Sequence, residues 1–187
     1  MRPYRRLPIL WQEAIALPEE IFHGANSAGN PARPAAVCYP ALYRQMESLL
    51  EGETDWVANL SNAAALLYST LPAINWAGFY RLRGGELLVG PFQGLPACVH
   101  IPVGRGVCGT AVAQDATQCV SDVHRFPGHI ACDARSAAEL VIPLHDRGRI
   151  VGVLDIDSPV PGRFDAAEAA ELERIAARIG SGCRWPD

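Results

Sequence analysis

Apolar residues recur at helical spacing near both ends of the 187-residue chain, with shorter strand-like runs between them. From Pro40 to Leu50 the spacing places Leu42, Met46 and Leu49 on one face, and Gly52 stops the pattern. Thr54 can cap a second helix from Asp55 to about Thr70, with Asp55 in its first turn. A last helix is predicted from Asp165, a good N-cap, to about Ile179, burying Ala169, Leu172, Ile175, Ala176 and Ile179. Strands are predicted at Asn75 to Leu82 and, beyond the turn residues Gly84 and Gly85, at Glu86 to Gly90. A glycine-rich loop at 104–109 leads into a short helix to about Ala113, and Gln118 to Ser121 reads as another strand. Leu140 to His145 and Arg149 to Asp157 read as two more strands joined by a turn at 146–148. Helices at both ends of a mostly antiparallel set of strands predict an α+β sandwich.

Residues 1–39 break this regularity. His23 to Pro34 is rich in Gly, Ala, Asn and Pro without periodicity, so 1–39 is read as a flexible leader or an extended start. Residues 40–183 are read as a single domain. A net charge of −4 offers no footprint for nucleic acid, and no stretch has the apolar length of a membrane span. All 16 basic residues are Arg, which excludes a P-loop or Schiff-base lysine. With no secretory signal read at the start, the cytoplasm is the expected compartment. Six cysteines, at 38, 98, 108, 119, 132 and 183, are then expected to be buried, metal-bound or catalytic rather than a disulfide scaffold.

Candidate chemistry gathers late in the chain. Alternation puts Val151, Val153, Asp155 and Asp157 on one face of the last strand, and Ile150, Gly152, Leu154 and Ile156 on the other. Two acids at the end of a buried strand need a reason: they cap turn amides near Ser158, or they line a pocket that binds a cation or holds a protonated acid, since paired carboxylates raise each other's pKa. Glu139, on the face of Val141, could converge on the same place. Cys132 lies in the long loop Asp122 to Ala138 beside ionisable groups, and loops of that length usually serve function. Cys98 also follows a turn-prone segment. Cys108 begins a helix, where the dipole would lower its pKa, and Cys119 reads as a buried or partly buried strand residue. Cys38 and Cys183 flank the domain and read as incidental. Trp76 and Tyr80 share a face and could wall a pocket.

Gly104-Arg105-Gly106-Val107-Cys108-Gly109 matches a dinucleotide-binding pattern, but the surrounding βαβ unit is missing and no such cofactor is expected. Its amides could instead hold a small anion such as a carboxylate. His124, His129 and Cys132 have no fourth ligand at a sensible spacing, so no metal is expected.

Taken in order, Asn75–Tyr80, Gly90–Gly94, Ala97-Cys98, Gly104–Ala111, Pro127–Asp133 and Gly152–Ser158 resemble the free methionine-R-sulfoxide reductases, which are GAF-fold enzymes. The resemblance runs from about Tyr39 to Ile179. It implies a single GAF-type domain with an antiparallel central sheet flanked by N- and C-terminal helices. It further implies that Cys132 is the catalytic cysteine, that Cys98 forms a disulfide with it, and that Cys108 is a third, auxiliary cysteine. Glu139, Asp155 and Asp157 would bind the substrate ammonium and polarise the sulfoxide, with Trp76 beside the methyl-sulfoxide end. Thioredoxin or a similar dithiol would recycle the enzyme, no further cofactor is expected, and a homodimer stays open. Two other readings keep the same fold: a GAF sensor without catalysis, and a redox switch that uses the Cys98–Cys132 disulfide with no turnover.

Overall fold

Four α-helices and six strands occupy residues 37–130 and 132–186, which are those described in this computed structural model. Most of the 1–39 leader therefore lies outside the described residues. Helix α1 (Tyr39–Leu50) starts with a proline in its first turn and buries Leu42, Met46 and Leu50. Helix α2 (Trp56–Thr70) is capped one residue later than expected. Asp55 is its N-cap, accepting from the Ala58 amide at 2.9 Å, while the Thr54 carbonyl accepts from the Arg184 amide at 2.7 Å. Helix α3 is Gly106–Gln114, and α4 is Ala166–Gly182, capped by Asp165 through the Glu168 amide at 2.8 Å.

The strands are β1 (Trp76–Arg83), β2 (Glu86–Gly94), β3 (His100–Pro102), β4 (Gln118–Val120), β5 (Ala138–Asp146) and β6 (Arg149–Ser158). They form one antiparallel sheet in the order β3-β2-β1-β6-β5-β4. One face carries Ala77, Phe79, Leu140, Ile142, Leu154 and Ile156 against apolar residues of α1, α2 and α4. The other carries Trp76, Tyr80, Val141 and Val153 against Val107, Cys108 and Ala111 of α3. Removing such side chains from water is the main drive for the sandwich, at about 1.5–3 kcal/mol for each large one.

Strict alternation fails near the turn between β5 and β6. The β5–β6 register passes from Leu144↔Gly152 to His145↔Ile150, so Val151 is bulged. Val151 consequently packs with the three-helix core and Ile150 with the opposite cluster, the reverse of the sequence expectation. Next to the bulge, a Cβ on Gly152 would strike the Tyr80 carbonyl of β1. Gly152→Val is expected to cost about 2–3 kcal/mol in urea unfolding, since backbone cannot move aside inside a six-stranded sheet. An unchanged midpoint would mean that the β1–β6 approach is looser than described.

Candidate active site

The α3 face of the sheet holds the acids. In the register of the three central strands, Trp76 pairs with Asp157 and Asp157 with Glu139, making one row across β1, β6 and β5. The adjacent row is Gly78, Asp155 and Val141. Because side chains of paired residues point the same way, the two rows aim Trp76, Glu139, Asp155 and Asp157 at one patch. Gly78 leaves room there: a Cβ on it would lie 2.6 Å from the Trp76 ring. Trp76 stacks between Tyr80 and Phe92, with centroids 5.9 and 5.2 Å away.

Over this patch lies a pocket open to solvent, whose lining includes Trp76, Tyr80, Cys108, His129, Cys132, Glu139, Asp155 and Asp157. Cys132 is joined to Cys98 by a disulfide with its Cα atoms 5.6 Å apart, although 34 residues separate the two in sequence. Two consecutive residues at the start of β1 anchor both cysteine loops. Asn75 Nδ2 donates to Asp133 Oδ2 at 3.1 Å and Ser136 Oγ at 3.0 Å, beside Cys132. Trp76 Nε1 donates to the Leu95 carbonyl at 3.1 Å, in the turn leading to Cys98. Arg135 clamps the Asp133 carboxylate at 2.8 Å and, with the Arg135 amide, holds its pKa well below the usual range.

The acids in the pocket behave in the opposite way. Burial pushes Asp155 up to about 7. Burial, then the neighbouring Asp155 carboxylate, raises both Glu139 and Asp157 well above their ordinary values. Among the described residues His129 is the one basic side chain within ion-pair distance of these acids, its Nε2 3.8 Å from Glu139 Oε2. Burial, followed by His124, lowers the pKa of His129 itself. The Asp155 Oδ1 atom is buried without a hydrogen-bond partner. Burial and mutual repulsion therefore favour the protonated forms of these acids.

The structure brings Cys98, Cys108, Cys132, Trp76, Tyr80, Glu139, Asp155 and Asp157 into one neighbourhood. It corrects two expectations about thiols. Cys108 is buried with Sγ 3.8 Å from Glu139 Oε1, and burial followed by the Asp155 charge raises its pKa, overriding the helix dipole. Cys119 is exposed on the edge strand β4 rather than buried. Cys38 is exposed, and Cys183 sits in the three-helix core. His124 does not join His129 and Cys132 in the pocket lining. Ile101, Ile130, Asp133 and Ser136 line it unforeseen. Strand β3, which carries Ile101, has only three residues, too few to show an alternation. The α3 N-terminus, Gly106 to Cys108, also faces the pocket and carries no side-chain cap.

The GAF domain family matches residues 45–182. The free methionine-R-sulfoxide reductase of Escherichia coli (strain K12) is 54% identical over 141 residues, spanning 75% of this chain and 86% of that one. The reduced form of fRMsr of Staphylococcus aureus superposes with a TM-score of 0.77 at 51% identity, covering 81% and 97% of the two chains. The free methionine-R-sulfoxide reductase from Neisseria meningitidis, in complex with its substrate, gives 0.75 at 43% identity, covering 82% and 93%.

Proposed function

The chain belongs to the free methionine-R-sulfoxide reductases of the GAF family, and on that premise we propose that it reduces the free amino acid through Cys132 and Cys98. The observation that carries this reading is the Cys98–Cys132 pair beside three buried acids whose pKa values are raised. Sulfoxide reduction needs a thiolate aimed at sulfur and an acid aimed at oxygen. Glu139 and Asp157, both raised well above their ordinary values, supply protons at pH 7, as a carboxyl group in an apolar site does. Cys132 attacks the polarised sulfur, the oxygen is transferred, and methionine leaves as its thioether. Cys132 is left as a sulfenic acid, the two-electron oxidation that balances reduction of the sulfoxide. The Cys98 thiol then displaces the sulfenic oxygen as water and forms the disulfide. Thioredoxin, or a similar dithiol, exchanges with that disulfide and restores both thiols. This cycle suits a reducing compartment such as the cytoplasm, and no described helix is long and apolar enough to cross a membrane.

The same pocket gives a reason to prefer the free amino acid. The substrate ammonium meets the unpartnered Asp155 oxygen, and its carboxylate meets the uncapped amides at the start of α3. Trp76 and Tyr80 enclose the thioether end. A residue within a peptide has neither charge to offer. We expect NADPH consumption, coupled through thioredoxin reductase and thioredoxin, with free methionine-R-sulfoxide. Little or none is expected with the S epimer or with N-acetylmethionine amide sulfoxide. Equal rates on the blocked substrate would overturn the role given to the acids.

A further inference from the structure

The same acids, taken with Cys108, form a donor set that an ammonium alone does not need. Cys108 Sγ and one carboxylate oxygen each from Glu139 and Asp155 lie within 4.8 Å of one another, and all three residues are buried. They come from three different elements: the first turn of α3, the start of β5 and the end of β6. In tetrahedral zinc sites, metal–sulfur and metal–oxygen bonds of about 2.3 and 2.0 Å set the two ligand atoms roughly 3.5 Å apart. Cys108 Sγ and Glu139 Oε1 stand at 3.8 Å, so a small closure of side chains brings them to a common ion. Independently of the cluster, Asp155 is only 6% exposed and its Oδ1 has no partner. Cys108 is a hydrogen-bond partner of the Asp155 side chain, and once that carboxyl is ionised its free oxygen can take a cation.

We propose that Cys108, Glu139 and Asp155 bind a thiophilic divalent cation, of which Zn²⁺ is the type, at the seat given to the substrate ammonium. One thiolate and two carboxylates suit Zn²⁺ better than Mg²⁺ or Ca²⁺, which prefer all-oxygen shells. Asp157, paired with Glu139 across the sheet, or water completes the shell. Cys108 stands outside the Cys98–Cys132 disulfide, so the oxidised enzyme keeps the whole ligand set. The ion therefore inhibits by occupying the pocket, without oxidising or blocking the Cys132 sulfur. Binding of the ion does not depend on the functional reading; its competition with the amino acid does.

The test uses full-length, disulfide-oxidised protein titrated with Zn²⁺ against a chromophoric chelator, and separately with Co²⁺. One equivalent is expected to bind, with a thiolate-to-cobalt charge-transfer band in the near ultraviolet. Cys108→Ser is expected to remove the band, and Cys108→Ser and Glu139→Gln each to weaken binding at least about tenfold. Cys119→Ser, at an exposed thiol, should leave both intact. Circular dichroism checks folding, and Glu139→Gln keeps the test meaningful if Cys108→Ser does not fold. No binding, or binding indifferent to both variants, overturns the site. Failure of free methionine to displace the ion overturns the shared seat, while the NADPH assay judges the catalytic reading separately.

Discussion

Cys132→Ser is expected to lower methionine-R-sulfoxide reduction on the order of 10⁴-fold, while Cys98→Ser leaves the first turnover and abolishes the rest. The asymmetry follows from which sulfur meets the substrate. Cys132 lines the pocket with the acids; Cys98 does not, and reaches the site through its bond to Cys132. A serine at 132 offers an alcohol that is far less nucleophilic towards sulfur at neutral pH, and no sulfenic acid can form. A serine at 98 spares the attack but leaves the Cys132 sulfenic acid without its neighbour. Rapid-quench analysis should therefore find about one methionine released per Cys98→Ser chain, with no thioredoxin-coupled NADPH consumption. Dimedone should label Cys132 in that variant and nothing at 132 in the serine variant. Continued turnover by Cys132→Ser would refute the mechanism. Repeated turnover by Cys98→Ser would pass the resolving role to another thiol, and Cys108, buried in the same pocket, would be the first to examine.

How far the chain announced this site depends on how each residue is carried. Asp155, Asp157 and Glu139 were legible because period-two alternation is reliable on strands paired on both sides, and β5 and β6 each are. The same rule misplaced Ile150 and Val151, because a bulge is a property of the pairing register and leaves no mark in a single strand. Strand β2 runs four residues past its expected end at Gly90, through Pro91, as β1 keeps pairing with it as far as Gly94. The Cys98–Cys132 pairing came from family resemblance; nothing in a 34-residue separation specifies it. Cys108 shows the limit of local reasoning. A helix start predicts a lowered pKa, yet the acids that raise it arrive from strands 31 and 47 residues further along. Long-range burial outweighs a partial dipole charge there.

Asp155→Asn should make the protein more stable at pH 8 while nearly abolishing its activity. Asp155 has a folded pKa of about 7 against an ordinary 3.8, through burial. The native state therefore holds this proton more tightly than the unfolded chain does. Stability falls as pH rises from about 4 towards 7, and above 7 the cost levels off on the order of 4 kcal/mol. An asparagine has no proton to lose, so it escapes the penalty at pH 8 and gains nothing at pH 4, where aspartic acid is already neutral. At about 2–4 °C per kcal/mol for a domain of this size, Tm at pH 8 should rise by roughly 8–16 °C. The two proteins should melt together near pH 4. Activity moves the other way, because a neutral amide offers the substrate ammonium no charge. Equal melting temperatures at pH 8 would show that the folded protein compensates the Asp155 carboxylate with a partner of its own. In that case the buried, unpartnered oxygen would not be what the substrate completes. A stabilised, inactive variant instead identifies the acid cluster as a place where the fold gives up stability to keep protons beside a thiol.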